Sequence, residues 1–146
     1  MDRRIVVVVA GALLVLALLG LFMRGLEVEE AYALYTGRAI GVYVTVVNMG
    51  LESHCIVGAR IGEDAPGVKA EIHETIEENG VYRMKPVDEI CLGPLERLEM
   101  RQGPGSYHVM IMGGDLEGIV DDGVVVVYLI LDDGSEIRVE APLRTS

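Results

Sequence analysis

Two histidines and two methionines, His73, Met84, His108 and Met110, lie on segments with strand-like patterns. Thioether sulfur is a soft donor and imidazole nitrogen also binds copper well, so a set of two and two suits Cu(I) better than hard ions such as Mg²⁺ or Ca²⁺. The chain has only 3 histidines and 2 cysteines, and no CxxC pair. A structural zinc site therefore has few ligands available. We predict a Cu(I) site if the fold brings the four residues together.

The first two donors are expected on one β-hairpin. Asn79 and Gly80 lie between two alternating segments, and Asn-Gly is the strongest short signal for a two-residue hairpin turn. With these residues at the centre of the turn, Thr75 faces Met84. His73 lies two residues from Thr75 and therefore on the same face as Met84, where two long side chains can reach a shared ion.

The other two donors are expected on the segment SYHVMIMG. Its odd-numbered residues are apolar and are expected to face the core, which places His108, Met110 and Met112 on the outer face. For this strand alone, packing against another layer would also explain the methionines, because methionine fills irregular gaps well. Four donors at matched positions favour the metal site over that interpretation.

The N-terminal segment is predicted to cross a membrane. An uninterrupted apolar run extends from Ile5 to Met23, and a helix rising about 1.5 Å per residue over this length spans the hydrocarbon core. Arg3 and Arg4 precede the run, and acidic residues follow it, so the N-terminus is expected inside and the rest of the chain outside. A cleaved signal peptide is the alternative, but the run lacks a small-residue cleavage pattern. We predict a single-pass plasma-membrane anchor over residues 1–24.

Export changes the interpretation of the cysteines. Cys55 and Cys91 are the only two in the chain. Outside the cytoplasm disulfides persist, so one intramolecular disulfide is expected, with two buried thiols as the alternative.

The formal net charge of -11 repels nucleic acid and anionic lipid heads, so no nucleic-acid partner is expected.

The rest of the chain has the pattern of strands and turns. About seven short strands without a helix after the anchor predict an all-β fold, an antiparallel Greek-key sandwich or barrel. Residues 25–37 are predicted to be a linker and residues 38–146 the folded domain.

A second hairpin is predicted around Asp133-Gly134. Its expected register places Ile130 opposite Ile137 and Tyr128 opposite Val139, so that apolar side chains meet on one face.

These segments resemble the PCu(A)C copper chaperones, which are exported cupredoxin-like domains. The family signature is a histidine, ten residues, a methionine, a longer gap and then His-x-Met; here it is met by His73, Met84 and His108-Val109-Met110. The blocks GVYVTVVNMG, AEIHETIEENGVYRMKPV, GSYHVMIMGG and LILDDGSEIRVEAPL are similar to the family's blocks in the same order, over residues 38 to 143.

The resemblance implies a function as well as a fold. It implies a non-enzymatic carrier that binds one Cu(I) and delivers it to an acceptor, typically the binuclear copper site of cytochrome oxidase or another copper carrier. His73, Met84, His108 and Met110 would be the ligands. The C-terminus, APLRTS, lacks the His- and Met-rich tail by which some relatives bind a second copper, so one site is expected.

The sequence departs from the family in three further respects. The gap between Met84 and His108 is longer than usual, with the excess in LGPLERLEMRQGPG. Cys55 and Cys91 are outside the signature, and a membrane anchor replaces a soluble form. Two alternative functions stay open: a copper scavenging or resistance protein, and an extracellular β-sandwich interaction domain that binds no metal. A copper enzyme would need a further titratable constellation, which the sequence does not offer.

Overall fold

The computed structural model describes residues 2–62 and 65–145, so Met1 of the predicted anchor and residues 63, 64 and 146 of the predicted domain lie outside the described residues. Within these residues, one long helix precedes ten strands, and a short second helix lies between the eighth and ninth strands. The elements in chain order are α1 (Arg3–Phe22), β1 (Leu26–Tyr35), β2 (Ile40–Asn48), β3 (His54–Ile61), β4 (Lys69–Glu78), β5 (Val81–Pro86), β6 (Ile90–Leu92), β7 (Arg97–Glu99), β8 (Ser106–Met112), α2 (Glu117–Asp121), β9 (Val124–Leu131) and β10 (Glu136–Arg144).

The strands form one open sheet in the order β5-β4-β8-β2-β1-β10-β9-β3-β6, and β7 also pairs with β2. Every pair is antiparallel except β1 and β10, which run parallel and join the two halves of the sheet. Side chains from both halves enter one core, which includes Val42, Val44 and Val109 from the first half and Val127 and Leu129 from the second. The predicted all-β sandwich is confirmed.

The stretch 25–37, which was predicted to be a linker, is instead occupied largely by strand β1. The strand pairs with β2 from Leu26 opposite Asn48 to Tyr35 opposite Ile40, and Leu26 and Ala33 are buried. Its sequence, LEVEEAYALY, contains three glutamates, which obscured the alternation. The strand forms because β2 and β10 satisfy its backbone groups on both sides, and this requires partners that are distant in sequence.

The second predicted hairpin forms, but its predicted register is wrong by one residue. Leu129 lies opposite Ile137 and Val127 opposite Val139. The Leu131 N–H donates to the Ser135 carbonyl oxygen at 2.9 Å, so residues 132–134 form a three-residue loop. Because a one-residue slip moves the side chains of one strand to the other face relative to its partner, the longer loop is what puts Val139 on the same face as the buried Val127 and Leu129.

Two further predictions were wrong. About seven strands and no helix after the anchor were predicted, whereas the described residues form ten strands and a second helix. Strands β6 and β7 have only 3 residues each, too few to show a period in the sequence. Helix α2 has 5 residues and buries Ile119 against the core. Neither difference changes the layout of the sheet.

Helix α1 is long and apolar enough to cross a membrane, as judged by its length and composition. The 18 residues from Arg3 to Gly20 have a mean hydropathy of 2.2, and none of this window is buried inside the protein. The apolar side chains of this window are therefore exposed, as in a helix that is long and apolar enough to span a bilayer.

The predicted disulfide between Cys55 and Cys91 is present. The two residues lie directly opposite each other on β3 and β6, with 4.0 Å between their Cα atoms. The bond closes a loop with a sequence separation of 36 and ties the terminal strand β6 to the sheet. Because the two sulfurs are bonded to each other, the alternative of two free thiols is excluded.

Candidate metal centre

Three neighbouring strands, β5, β4 and β8, position the four predicted donors. The predicted register of the first hairpin is confirmed: Thr75 on β4 lies opposite Met84 on β5. The turn between them has a φ of 52° at Asn79 and 77° at Gly80, the left-handed conformation that a two-residue hairpin turn requires at both central positions. On the other side of β4, His73 lies directly opposite His108 on β8.

All four donors lie on one face of this part of the sheet. Residues that are directly paired across strands share a face, and so do residues two apart on one strand. His73 shares a face with its partner His108, and with Met84 through Thr75. Met110 lies two residues from His108 and joins the same face. The structure therefore brings together the residue set that the spacing predicted.

A cavity of about 300 Å³ opens on this face. Met84, His108 and Met110 line it, together with Tyr43 and residues from the neighbouring strands and loops. His73 lies beside the cavity, with its ring centroid 5.7 Å from that of His108. Three of the four predicted donors are therefore in the wall of one cavity, and the fourth is beside it.

The four donor side chains are buried to different degrees. The residues of β8 were expected on an outer face, but His108 on that strand is buried. His108 is 2% exposed and His73 is 8% exposed, whereas Met84 is 54% exposed. The histidines are covered because other side chains, Tyr43 among them, cover this face of the sheet. Solvent therefore reaches the site on the Met84 side.

Each histidine has a buried ring nitrogen without a hydrogen-bond partner. These atoms are Nδ1 of His73 and Nε2 of His108. Nearly all buried polar side-chain atoms in folded proteins have a partner, and an exception calls for an explanation. Nε2 of His54 on β3 is also unpartnered, so the missing partner alone does not mark a metal site. Neutral imidazole nitrogens are common metal ligands, and the position of the His73 and His108 atoms on adjacent rings fits a metal bound by histidine.

The electrostatics keep His108 neutral. Burial, with a smaller contribution from the nearby His73, lowers the pKa of His108 from 6.5 to about 4. A neutral imidazole retains the lone pair that a metal ligand needs. The Nε2 atom of His73 lies 2.9 Å from Oε2 of Glu71, and this hydrogen bond, followed by one from Lys69, lowers the pKa of the Glu71 carboxyl.

Two stacked tyrosines lie beside His108, and the sequence pattern did not predict them. The Tyr43 ring centroid lies 6.0 Å from that of His108, and Tyr32 stacks on Tyr43 at 5.0 Å. Burial, and then the charge of Tyr32, raises the pKa of Tyr43. A Cβ atom at Gly41 would lie 3.0 Å from the Tyr43 hydroxyl, so glycine lets the ring lie across β2. The alternation of GVYVTVVN puts Gly41 and Tyr43 on one face, but only the pairing of β2 with β8 shows which face.

A second group of close donor residues does not compete with this site. Cys55, Glu89 and Cys91 have side-chain donor atoms within 4.8 Å of one another. Both sulfurs belong to the disulfide, so neither is available as a thiolate ligand.

The fold is that of PCuAC domains. The copper-bound PCuAC domain from PmoF2 superposes with a TM-score of 0.60 at 18% identity, over 83% of this chain and 93% of that chain. The apo PmoF2 PCuAC domain has a TM-score of 0.56 at 18% identity, over 82% and 90% of the two chains. The apo PCuAC domain from PmoF1 has a TM-score of 0.57 at 16% identity, over 83% and 94%. The expected cupredoxin-like fold is confirmed.

The chain belongs to the LpqE-like lipoprotein family, whose model matches residues 26–143. No curated protein sequence matches the chain. The matched region begins with strand β1 and ends within β10, so it includes the sheet except for Arg144. Together with the apolar helix α1, membership of a lipoprotein family indicates an exported, membrane-associated protein.

Proposed function

We propose that this protein is a membrane-anchored copper chaperone that binds one Cu(I) through His73, Met84, His108 and Met110. The observation that carries the proposal is the pair of buried, directly opposed histidines, each with an unpartnered ring nitrogen, beside two methionines on the same face. A solved domain of the same fold is described as copper-bound, which supports copper as the metal.

The donor set suits Cu(I) in an oxidising compartment. Thioether sulfur is a soft ligand that disfavours Mg²⁺ and Ca²⁺, and it binds without losing a proton. Unlike cysteine, methionine cannot be captured in a disulfide. Both cysteines of the chain are already bonded to each other, so copper binding does not depend on the thiol redox state.

The unequal depth of the donors suits a carrier that gives up its ion. Met84 is exposed at the mouth of the cavity, whereas the two histidines are buried. An incoming donor from an acceptor protein would replace Met84 first, and the ion would then leave the remaining ligands one at a time. Such stepwise exchange needs no unfolding of the sheet.

Helix α1 would hold the domain at the membrane. The family is one of lipoproteins, but a lipid attached through a cysteine thiol needs a free cysteine, and both cysteines of this chain are in the disulfide. The apolar helix would therefore serve as a single-pass plasma-membrane anchor in place of a thiol-linked lipid, with the β-domain outside the cytoplasm. A fixed location would keep the carrier near membrane-bound acceptors.

The acceptor that best fits this location is the binuclear copper site of a cytochrome oxidase, or another exported copper carrier. The test is to load the full-length protein in nanodiscs with Cu(I) under anaerobic conditions and mix it with the copper-free soluble domain of the oxidase subunit. A chelator in excess captures any ion that is released into solution. If the protein is a chaperone, the acceptor should receive copper faster from the loaded protein than from the Cu(I)–chelator complex alone.

Other outcomes of this experiment would favour the alternative functions. Copper that stays on the protein would favour a scavenging or resistance role. A protein that takes up no Cu(I) would be an interaction domain. Steady consumption of oxygen and a reductant by the loaded protein would indicate a copper enzyme.

A further inference from the structure

Glu71 contacts the candidate ligand His73 from the same strand. The two residues are two positions apart on β4 and share a face, and Oε2 of Glu71 lies 2.9 Å from Nε2 of His73. We propose that Glu71 is a positioning residue that holds the His73 ring with Nε2–H toward the carboxylate and Nδ1 as the copper-binding atom. This inference rests on the proposed function.

The chemistry of the contact fixes which nitrogen is free. An ionised carboxylate only accepts hydrogen bonds, so Nε2 of His73 must donate and therefore carries the proton. A neutral imidazole has one N–H, which leaves the lone pair on Nδ1. That atom is also the one that is buried without a partner. Two independent observations, a hydrogen bond at one nitrogen and an unpartnered second nitrogen, thus indicate the same ligand atom.

The carboxylate is itself held in place. Its other oxygen, Oε1, lies 3.1 Å from Nζ of Lys69, the residue two positions earlier on β4. An exposed ion pair of this kind adds little to stability, but it leaves Oε2 to bind His73. On the neighbouring strand β8, Glu71 lies directly opposite Met110, so it is next to two of the four candidate ligands.

Carboxylates that accept a hydrogen bond from a metal-binding histidine orient its ring and raise its basicity. Removal of such a partner typically lowers metal affinity by about 10- to 100-fold. The Nε2 atom of His108 has no hydrogen-bond partner, and this ring is held by burial instead. The two histidines are therefore not equivalent, and only His73 should respond to the loss of Glu71.

The test uses the full-length chain in detergent micelles, labelled with ¹⁵N at histidine and free of copper. For the wild type we expect an Nε2–H proton of His73 that exchanges slowly enough to be observed, and an unprotonated Nδ1. Glu71→Ala should lose the observable Nε2–H signal, and Glu71→Gln should retain it because its amide oxygen still accepts. Glu74→Ala removes the same charge from the other face of β4 and should leave the signal unchanged.

Cu(I) affinity of the same variants, measured by competition with a chelator, provides the second readout. We expect a fall of about 10- to 100-fold for Glu71→Ala, a smaller fall for Glu71→Gln and none for Glu74→Ala. An unchanged His73 spectrum in Glu71→Ala would overturn the inference. So would loss of copper with the Nε2–H signal intact, because Glu71 would then be a direct ligand. If the wild type binds no Cu(I), the proposed function fails, while the spectra of the copper-free protein still decide whether Glu71 fixes the ring.

Discussion

His73 and His108 lie directly opposite each other on β4 and β8, and their rings meet edge to face with centroids 5.7 Å apart. The relationship is set by the register of two long antiparallel strands and does not depend on a loop. Sites built on regular elements hold their geometry better than sites on loops. The other two donors lie on the same face, one on β8 itself and one on the hairpin partner β5.

The free energy of unfolding of the copper-free protein should decrease as the pH is lowered, because of His108. Its pKa is about 4 in the folded protein, against 6.5 for an ordinary histidine. Between these values the unfolded chain binds a proton that the folded chain does not, so stability is full above about pH 6.5 and is lost as the pH falls toward about 4. The contribution of this one group is on the order of 3 kcal/mol.

Urea denaturation of the copper-free chain at several pH values, followed by circular dichroism of the β-domain, measures this effect. Because other groups also titrate, the informative quantity is the difference between wild type and His108→Leu, which cannot ionise. We expect the pH dependence of the variant to be shallower over this range. Parallel curves for the two proteins would contradict the assignment of a depressed pKa to His108.

The turn at Gly80 should control both stability and the position of Met84. Gly80 has a φ of 77°, and a side chain in this conformation costs about 1 to 2 kcal/mol. Gly80→Ala should therefore lower the free energy of unfolding by this amount and weaken Cu(I) binding, because the hairpin that carries Met84 is less well formed.

Gly118→Ala is the matched control for this substitution. Gly118 lies in helix α2, has no left-handed φ and has no atom within 4 Å of a Cβ placed there. The same chemical change should be neutral or slightly stabilising at that position, and copper binding should be unaffected. Equal effects of the two substitutions would show that the turn conformation is not what matters.

The disulfide should stabilise the fold without taking part in copper binding. The Cys55–Cys91 bond closes a loop with a sequence separation of 36, and loop-closure entropy assigns such a bond about 3 to 4 kcal/mol. The double variant Cys55→Ala, Cys91→Ala should lose this amount in chemical denaturation and still bind one Cu(I) when folded. Loss of copper by the folded variant would place the cysteines in the site.

The sequence predicted features that depend on short-range signals. The first hairpin and its register follow from Asn79-Gly80, since a two-residue turn leaves one way to pair the strands. The second register was wrong because Asp132-Asp133-Gly134 forms a three-residue loop, and the Asp-Gly pair alone does not distinguish the two lengths.

Features that depend on distant partners were not predictable. Strand β1 was mistaken for a linker because its strand character comes from pairing with β2 and β10. Alternation placed Met110 and His108 on one face, but the depth of His108 is set by side chains that cover that face, such as Tyr43. The contact between Glu71 and His73 depends on side-chain conformation, which residue spacing does not specify.

Copper binding by the four residues can be measured in a competitive anaerobic Cu(I) titration of the full-length chain against a chromophoric chelator. The wild type is compared with the double variant Met84→Leu, Met110→Leu, which keeps the apolar bulk of both side chains and removes both sulfurs. Met112→Leu is the control, since Met112 is on the same strand and face as Met110 but does not line the cavity.

We predict one tightly bound Cu(I) per chain for the wild type and for Met112→Leu, and its loss in the double variant with the fold intact by circular dichroism. If the wild type binds no Cu(I), or if the double variant binds it unchanged, the four residues are not the copper ligands and the protein has a PCuAC fold without this site.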